Sequence, residues 1–227
     1  MNRASLADLA PRAVIWDVDG VLIDSEPLHY EAARAALARS PVALAPEENV
    51  ALLGRSLPEV WLYLSKRGLD TPRQAWIGEV EAHYLAGVHA GMARRGVIET
   101  VGALTARGVP QACVSTAERR ILDANVAALG IGAALRFTIS REDVVRTKPA
   151  PDPYVAACAR LGLAPGDCLA IEDTPVGVAA ARAAGVPVLA WPHALTAQLD
   201  FPGATARIAR LDEVPFLTQA AGDRRRA

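Results

Sequence analysis

The sequence predicts an α/β fold: a doubly wound parallel sheet with an all-helical cap domain inserted after its first strand. Short apolar runs bounded by polar or turn residues indicate strands that are buried on both faces. Helical patterns alternate with these runs, which implies right-handed crossovers between parallel strands. One long stretch, residues 26–94, departs from this alternation because it contains helical patterns and no convincing strand.

Five apolar runs predict the strands of the sheet. Four are short and mostly continuous, and the remaining one is weaker because polar residues interrupt it. The strands are predicted over residues 13–16, 111–114, 168–171 and 187–191, with the weaker one over residues 135–140. These lengths and their polar or turn-forming neighbours are typical of strands in the interior of a parallel sheet.

Four helical patterns alternate with the strands, and each is followed by a glycine that would stop a helix. They cover residues 100–107, 118–129, 152–161 and 176–184 and precede Gly108, Gly130, Gly162 and Gly185.

The stretch that breaks the alternation predicts a second, smaller domain. Its four helical patterns cover residues 27–39, 46–53, 57–66 and 72–87. We therefore expect a catalytic α/β core of residues 1–25 and 95–227 and a helical cap of residues 26–94. The two crossings, near residues 24–27 and 91–96, are plausible hinges.

The composition excludes several classes of protein. The 227 residues include 24 basic and 25 acidic side chains, and the net charge of −1 argues against a nucleic-acid binder or an anionic membrane partner. We do not expect residues 1–11 to form a signal peptide, and no apolar stretch reaches the roughly 18 residues of a membrane span. We expect a cytoplasmic protein with three buried cysteines and a solvated tail over residues 222–227.

Polar side chains follow three of the predicted strands, at the edge of a parallel sheet where ligands bind. Asp17, Asp19 and Gly20 come after the first strand, Ser115 and Thr116 after the second, and Glu172 and Asp173 after the run at 168–171. Four carboxylates without an opposing charge would repel one another, so the cluster indicates a bound cation. Hard oxygen ligands in this number favour Mg²⁺.

The spacing of Asp17 and Asp19 points both side chains the same way if the strand continues through them. One acid can then act as nucleophile and the other as general acid and base, although Asp and Gly also form ordinary strand-end turns. Lys148 is one of only two lysines and suits contact with a carboxylate and a phosphoryl group. Ser115 and Thr116 can cap the next helix and bind phosphate there.

Together these pieces resemble the motifs of the haloacid dehalogenase superfamily of phosphotransferases, across nearly the whole chain. Residues 17–21 resemble its first motif, Ser115 the second, residues 148–149 the third and residues 172–173 the fourth. The subgroup that looks most similar contains β-phosphoglucomutase and sugar-phosphate phosphatases. The position of the helical insert also matches the cap domain of that subgroup.

The resemblance implies a role for each motif residue. Asp17 would attack phosphorus and become an aspartyl phosphate, while Asp19 would protonate the leaving alcohol and then activate water. Ser115, Thr116 and Lys148 would bind the transferring phosphoryl group. Mg²⁺ would be held by the Asp17 carboxylate, the Asp19 backbone carbonyl and Asp173, with Glu172 near or behind it.

The cap residues bear on the choice between phosphatase and mutase. His29 stands where the mutase carries a histidine near the cap hinge, and residues 53–57 resemble the family's substrate loop. The mutase has an arginine directly after the loop serine to clamp a second phosphate, and this chain has Leu57 there. The departure favours a phosphatase acting on a small phosphorylated sugar or sugar acid. The predicted cap selectors are His29, Gly54, Arg55 and Ser56.

Two other functions remain open from the sequence. A hexose-phosphate mutase would form isomerised product without free phosphate. A non-catalytic regulator would bind a phosphorylated metabolite without turnover, although the complete set of Asp17, Asp19, Lys148 and Asp173 argues against it. In each case the partner is a small phosphorylated metabolite, and we expect a monomer.

Overall fold

The computed structural model describes residues 6, 7 and 9–218, so the predicted tail at 222–227 lies outside the described residues. The strands are β1 (Ala13–Trp16), β2 (Gln111–Val114), β3 (Thr138–Ile139), β4 (Cys168–Glu172), β5 (Val188–Ala190) and β6 (Ala206–Arg207). They form one sheet in the order β3-β2-β1-β4-β5-β6, and all pairs are parallel. The predicted doubly wound parallel sheet is confirmed.

The central strand β1 sets the register of the site. Ile15 pairs with Ala112 of β2 on one side and with Ala170 of β4 on the other. The carboxyl ends of these three strands therefore lie side by side. The strand order reverses between β1 and β4, and a parallel sheet binds ligands at such a reversal.

The described part of the chain contains the following α-helices beside the sheet. They are α1 (Glu26–Ala36), α2 (Pro46–Ala51), α3 (Leu57–Ser65), α4 (Arg73–Gly87), α5 (Val97–Ala106), α6 (Arg119–Leu129), α7 (Asp152–Leu161), α8 (Pro175–Ala183) and α9 (Pro215–Thr218). Each helical pattern of the sequence corresponds to one of them. The main differences are that α5 begins three residues earlier than predicted and α1 ends at Ala36 instead of residue 39. A short last helix, α9, and the edge strand β6 were not predicted.

Side chains alternate between the two faces of the sheet. Val14 and Trp16 of β1 join one apolar cluster, to which α5 and α6 contribute Leu104 and Leu122. The alternate strand residues join a second cluster with α7 and α8, in which Tyr154 is fully buried. Because all four residues of β1 and of β2 are buried, their continuous apolar sequences are explained.

The inserted helices have an apolar cluster of their own. Helices α1 and α4 pack against each other, and Trp76, Val80 and Tyr84 of α4 are fully buried in this cluster. The cluster also includes Ile121 of α6, so it continues onto the core. The division into a core and a cap over residues 26–94 remains a proposal. No helix in the described ranges is long and apolar enough to cross a membrane.

Candidate active site

The polar residues at the carboxyl edge of the sheet line a cavity that the inserted helices cover. The core contributes Asp17, Asp19, Thr116, Lys148, Glu172 and Asp173, and the insert contributes His29, Gly54, Arg55 and Ser56. The structure thus brings together ten of the eleven residues singled out in the sequence. The eleventh, Ser115, lies directly behind Asp19.

Lys148 is buried at the centre of an ion-pair network. Its Nζ lies 2.5 Å from Asp17 Oδ1, 2.6 Å from Glu172 Oε1 and 3.1 Å from the carbonyl oxygen of Val114. The Tyr154 hydroxyl also donates to Glu172 Oε1. Burial alone would lower the pKa of Lys148, but the two carboxylates raise it above its ordinary value, so the side chain stays an ammonium.

One ammonium does not balance the carboxylates around it. Burial and the neighbouring Glu172 charge raise the pKa of Asp17 well above its ordinary value, although Lys148 acts in the opposite direction. Ionisation of Asp17, which a nucleophile needs, therefore calls for further positive charge at this place.

The carboxylates of Asp17, Glu172 and Asp173 fit a divalent cation. One oxygen from each can be chosen so that all three lie within 4.8 Å of one another. Among the described residues, Glu172 Oε2 is buried and has no hydrogen-bond donor, and Asp173 Oδ2 is buried with His193 Nε2 3.1 Å away. A buried carboxylate oxygen that accepts no hydrogen bond is stabilised by a positive charge nearby. A set of carboxylate oxygens suits a hard divalent cation.

Asp19 is held apart from this group by donors of its own. Its Oδ1 accepts from Ser25 Oγ at 2.8 Å and Asn125 Nδ2 at 3.0 Å, and it lies 3.1 Å from His29 Nε2. Its Oδ2 accepts from Ser115 Oγ at 3.1 Å. Burial would raise the pKa of Asp19, but the hydrogen bonds outweigh burial and lower it. The two aspartates of the first motif thus stand in different electrostatic surroundings, as two distinct chemical roles require.

His29 packs against other residues of the site and does not only line the cavity. Its ring stacks on Tyr84 with the centroids 4.3 Å apart, and the Tyr84 hydroxyl donates to Asn125 at 2.7 Å. Burial would lower the pKa of His29, but the hydrogen bond and charge of Asp19 raise it. His29 therefore contacts Asp19, the predicted general acid and base, as well as lining the cavity.

The loop before α3 brings the insert against the core. Gly54 has a φ of +76°, and a Cβ there would lie 3.3 Å from Thr174 Oγ1. Ser56, the N-cap residue of α3, donates to the Glu59 carboxylate through its backbone N at 2.9 Å and its Oγ at 2.7 Å, so Glu59 satisfies the backbone N–H at the start of the helix. Arg55 is half-exposed and pairs with Glu59 at 3.2 Å.

The comparisons with known proteins agree with this geometry. Residues 11–185 match the model of the haloacid dehalogenase-like hydrolase family. The chain belongs to this family. The prediction made from the four motifs is confirmed.

Several named relatives of this family member cover most of its length. CbbY of Cupriavidus necator is 36% identical over 85% of this chain and 83% of its own. Hexitol phosphatase A of Escherichia coli is 31% identical over 89% of each chain. Phosphoglycolate phosphatase of Rhodospirillum rubrum is 30% identical over 79% of this chain and 78% of its own.

A solved structure shares the family fold. A CbbY mutant from Rhodobacter sphaeroides in complex with xylulose-(1,5)bisphosphate superposes with a TM-score of 0.82. The two sequences are 21% identical, and the match covers 90% of this chain and 99% of that one. At this identity the likeness establishes the fold alone.

The prediction that Ser115 or Thr116 caps the following helix is wrong. Helix α6 begins at Arg119, and its N-cap residue is Glu118. Ser115 Oγ instead accepts from the backbone N of Ala117 at 2.9 Å, which stabilises a turn before the helix. Thr116 lies in that turn and lines the cavity.

Several residues around the site were not found in the sequence. Tyr154 and Asn125 come from helices, and His193 Nε2 lies 3.1 Å from Asp173 Oδ2 after β5. Arg94 donates to the carbonyl oxygens of Gly20 and Trp191 and stacks on the Trp191 ring. No local motif marks these residues, because only the packing of distant segments brings them to the site.

Gly177 of α8 leaves the space that Glu172 needs. A Cβ at this position would lie 1.9 Å from Glu172 Oε2, so an alanine would displace the carboxylate or the helix. We expect Gly177→Ala to lower the free energy of unfolding by about 1–3 kcal/mol and to reduce turnover. Urea unfolding and steady-state kinetics measure the two effects.

Gly78→Ala is the matched control for this change. Gly78 is exposed in α4, and a Cβ there would meet no atom within 4 Å. The free energy of unfolding of Gly78→Ala should equal that of the wild type or exceed it by up to about 1 kcal/mol, because alanine favours a helix. Equal stability of both variants would contradict the close packing of Glu172 against Gly177.

Proposed function

We propose that the protein is a Mg²⁺-dependent phosphatase that hydrolyses a small phosphorylated sugar through an aspartyl phosphate on Asp17. The observation that carries the proposal is the pairing of Asp17 with Lys148 beside two further carboxylates, with Asp19 held separately. The phosphatase names of relatives at 30% identity or more support the reaction type.

In the first step a carboxylate oxygen of Asp17 attacks phosphorus, and the bond from phosphorus to the leaving oxygen breaks. Asp19 gives that oxygen a proton, for which it must be protonated when substrate is bound. Its lowered pKa in the free enzyme is compatible with this role, since a phosphoryl dianion nearby would raise it again. His29, in contact with Asp19, would share in holding this proton.

In the second step Asp19, now a carboxylate, takes a proton from water as that water attacks the aspartyl phosphate. The bond between phosphorus and the Asp17 oxygen breaks, releasing inorganic phosphate and restoring the carboxylate. Lys148 keeps its charge throughout and stabilises the equatorial oxygens of the transferring group. Ser115 and Thr116, in the turn beside Asp19, would orient the same group.

Asp17 and Asp173 would hold Mg²⁺, with the Asp19 backbone carbonyl as a further oxygen ligand and Glu172 behind them. When bound, Mg²⁺ supplies charge neutralisation for the transferring phosphoryl group. The place of Asp173 in the three-carboxylate group and the raised pKa of Asp17, which burial and Glu172 cause, support this placement.

Removal of the metal should abolish activity and lower stability. We expect a chelator to stop phosphate release and Mg²⁺ to restore it. Mg²⁺ should also raise the unfolding temperature of the wild type, because ligand binding to the native state stabilises it. Asp173→Asn should lose most of that rise, whereas Asp212→Asn, at an exposed position, should keep it. An equal rise in both variants would place the metal elsewhere.

A hexose-phosphate mutase is less well supported. His29, the residue in which the cap resembles the mutase, lies 3.1 Å from Asp19. However, Leu57 occupies the place of the phosphate-clamping arginine, and Arg55 is already paired with Glu59. A mutase must hold two phosphate groups in turn, and the cavity offers no second buried ammonium or guanidinium among its described lining residues.

The deciding experiment follows phosphate release from sugar, sugar-acid and polyol phosphates with Mg²⁺, using Asp17→Asn as the blank. The set includes β-glucose 1-phosphate, with formation of glucose 6-phosphate followed in parallel. We expect release that disappears in the blank. Glucose 6-phosphate without release would establish the mutase, and tight binding without turnover would establish a regulator. The monomeric state and the cytoplasmic location stay predictions.

A further inference from the structure

Glu118 is a buried carboxylate in the cavity that the proposed mechanism does not use. It is the N-cap residue of α6 and lines the same cavity as Asp17. Only 5% of the residue is exposed, and no other described residue donates a hydrogen bond to its carboxylate oxygens. Buried acceptors in native proteins are nearly always satisfied, so a ligand is the natural source of the missing donors.

The neighbouring Arg141 does not supply the missing hydrogen-bond donor to Glu118. Arg141 Nε lies 3.7 Å from Glu118 Oε1, beyond hydrogen-bond distance, and this nitrogen also lacks a partner. Burial raises the pKa of Glu118 to about 7 even with Arg141 nearby. The pair is therefore a weak ion pair that leaves the carboxylate free to accept hydrogen bonds from within the cavity.

A second buried carboxylate lines the same cavity. Glu26, at the start of α1, is buried and lines the cavity, and burial raises its pKa to about 7. Neither glutamate belongs to the three-carboxylate group around Lys148. The cavity thus holds two buried carboxylates besides that group, and the guanidinium of its lining residue Arg55 is paired with Glu59.

Resting on the proposed phosphatase function, we propose that Glu118 is a specificity-determining residue that accepts a hydrogen bond from a hydroxyl of the leaving group. The site then prefers polyol phosphates to phosphomonoesters whose leaving group carries a carboxylate. A hydroxyl supplies the donor that Glu118 lacks, whereas a substrate carboxylate supplies none and adds a like charge beside it. Sites that hydrogen-bond a substrate hydroxyl discriminate strongly against analogues without it.

The test compares kcat/KM for sorbitol 6-phosphate and phosphoglycolate in the wild type, Glu118→Gln and Glu118→Ala. We expect the wild type to prefer sorbitol 6-phosphate. The preference should fall by about tenfold or more in Glu118→Ala, the size expected for a lost hydrogen bond to a charged group. Most of the fall should come from KM, because Glu118 does not touch the reacting atoms. The substrate preference of Glu118→Gln should lie between those of the wild type and Glu118→Ala.

The control is Glu99→Gln, which removes an exposed carboxylate from α5 and should leave the preference unchanged. Three results would overturn the proposal. The wild type could prefer phosphoglycolate, or it could prefer phosphoethanolamine, whose leaving group carries an ammonium in place of hydroxyls, to sorbitol 6-phosphate. In the third, Glu118→Ala would lose kcat/KM equally on sorbitol 6-phosphate and phosphoglycolate and would have a lowered unfolding temperature. The last would make Glu118 a purely structural partner of Arg141. Absence of phosphate release from every substrate would instead contradict the proposed function itself.

Discussion

Asp17→Asn is expected to eliminate phosphate release while leaving the fold intact. The amide has nearly the shape of the carboxylate but cannot attack phosphorus. Removal of a residue that forms the covalent intermediate typically reduces kcat by about 10⁴-fold or more. We therefore expect turnover at the limit of detection for every substrate that the wild type hydrolyses.

The stability of the same variant should not fall. Burial and the Glu172 charge raise the pKa of Asp17, so its ionised form is unfavourable in the folded protein. A neutral amide avoids that cost at neutral pH and still leaves Lys148 paired with Glu172 at 2.6 Å. The unfolding temperature should thus equal or exceed that of the wild type.

Two measurements complete this test. Intact-mass spectrometry after rapid acid quenching should find the phosphorylated protein in the wild type and not in Asp17→Asn. Asp212→Asn, whose carboxylate is exposed and paired with Arg210, should keep full activity and phosphorylation. Full turnover in Asp17→Asn would refute the covalent mechanism.

Both the fold and the site are most predictable from the sequence where a buried strand leads directly into a motif residue. The apolar run of β1 is fully buried, and Asp17 follows it directly, so fold and motif could be read from the same few residues. Strand β6 could not be predicted, because two residues of which one is exposed carry no periodic signal. It exists because β5 offers a free edge with which Ala206 pairs.

The supporting residues of the site were less predictable for a physical reason. Asn125 donates to Asp19 from the middle of α6, and its burial depends on how that helix packs beneath α4. Glu118 precedes two arginines, a pattern typical of a solvated helix start, yet the fold buries it. Tertiary packing, rather than local sequence, decides which polar side chains of a helix reach the cavity.

Lys148→Met should reduce both activity and stability, and its loss of stability should exceed that of any other single change in the ion-pair network. Methionine is similar in length but carries no charge, so the buried carboxylates of Asp17 and Glu172 lose their shared ammonium. Breaking a buried ion pair by removal of one partner costs about 3–5 kcal/mol. Loss of a preorganised charge at a developing oxyanion reduces kcat by about 10²–10³-fold.

The chain provides a matched control, because Lys66 is its only other lysine. Lys66 is the exposed C-cap residue of α3, so Lys66→Met should change neither activity nor the unfolding temperature appreciably. Chemical denaturation and steady-state kinetics on both variants measure the contrast. Equal behaviour of the two variants would mean that the buried network contributes nothing.

Mg²⁺ separates the structural part of the Lys148 effect from the catalytic part. A divalent cation near Asp17 and Asp173 neutralises some of the charge that Lys148→Met leaves behind, so Mg²⁺ should raise the unfolding temperature of this variant more than that of the wild type. Activity should stay low, because the cation does not replace the ammonium that contacts Asp17. Lys148→Arg keeps the charge but not the compact shape, so it should fold more stably than Lys148→Met and still turn over slowly. If Mg²⁺ restored activity as well as stability, Lys148 would serve only to hold the carboxylates together.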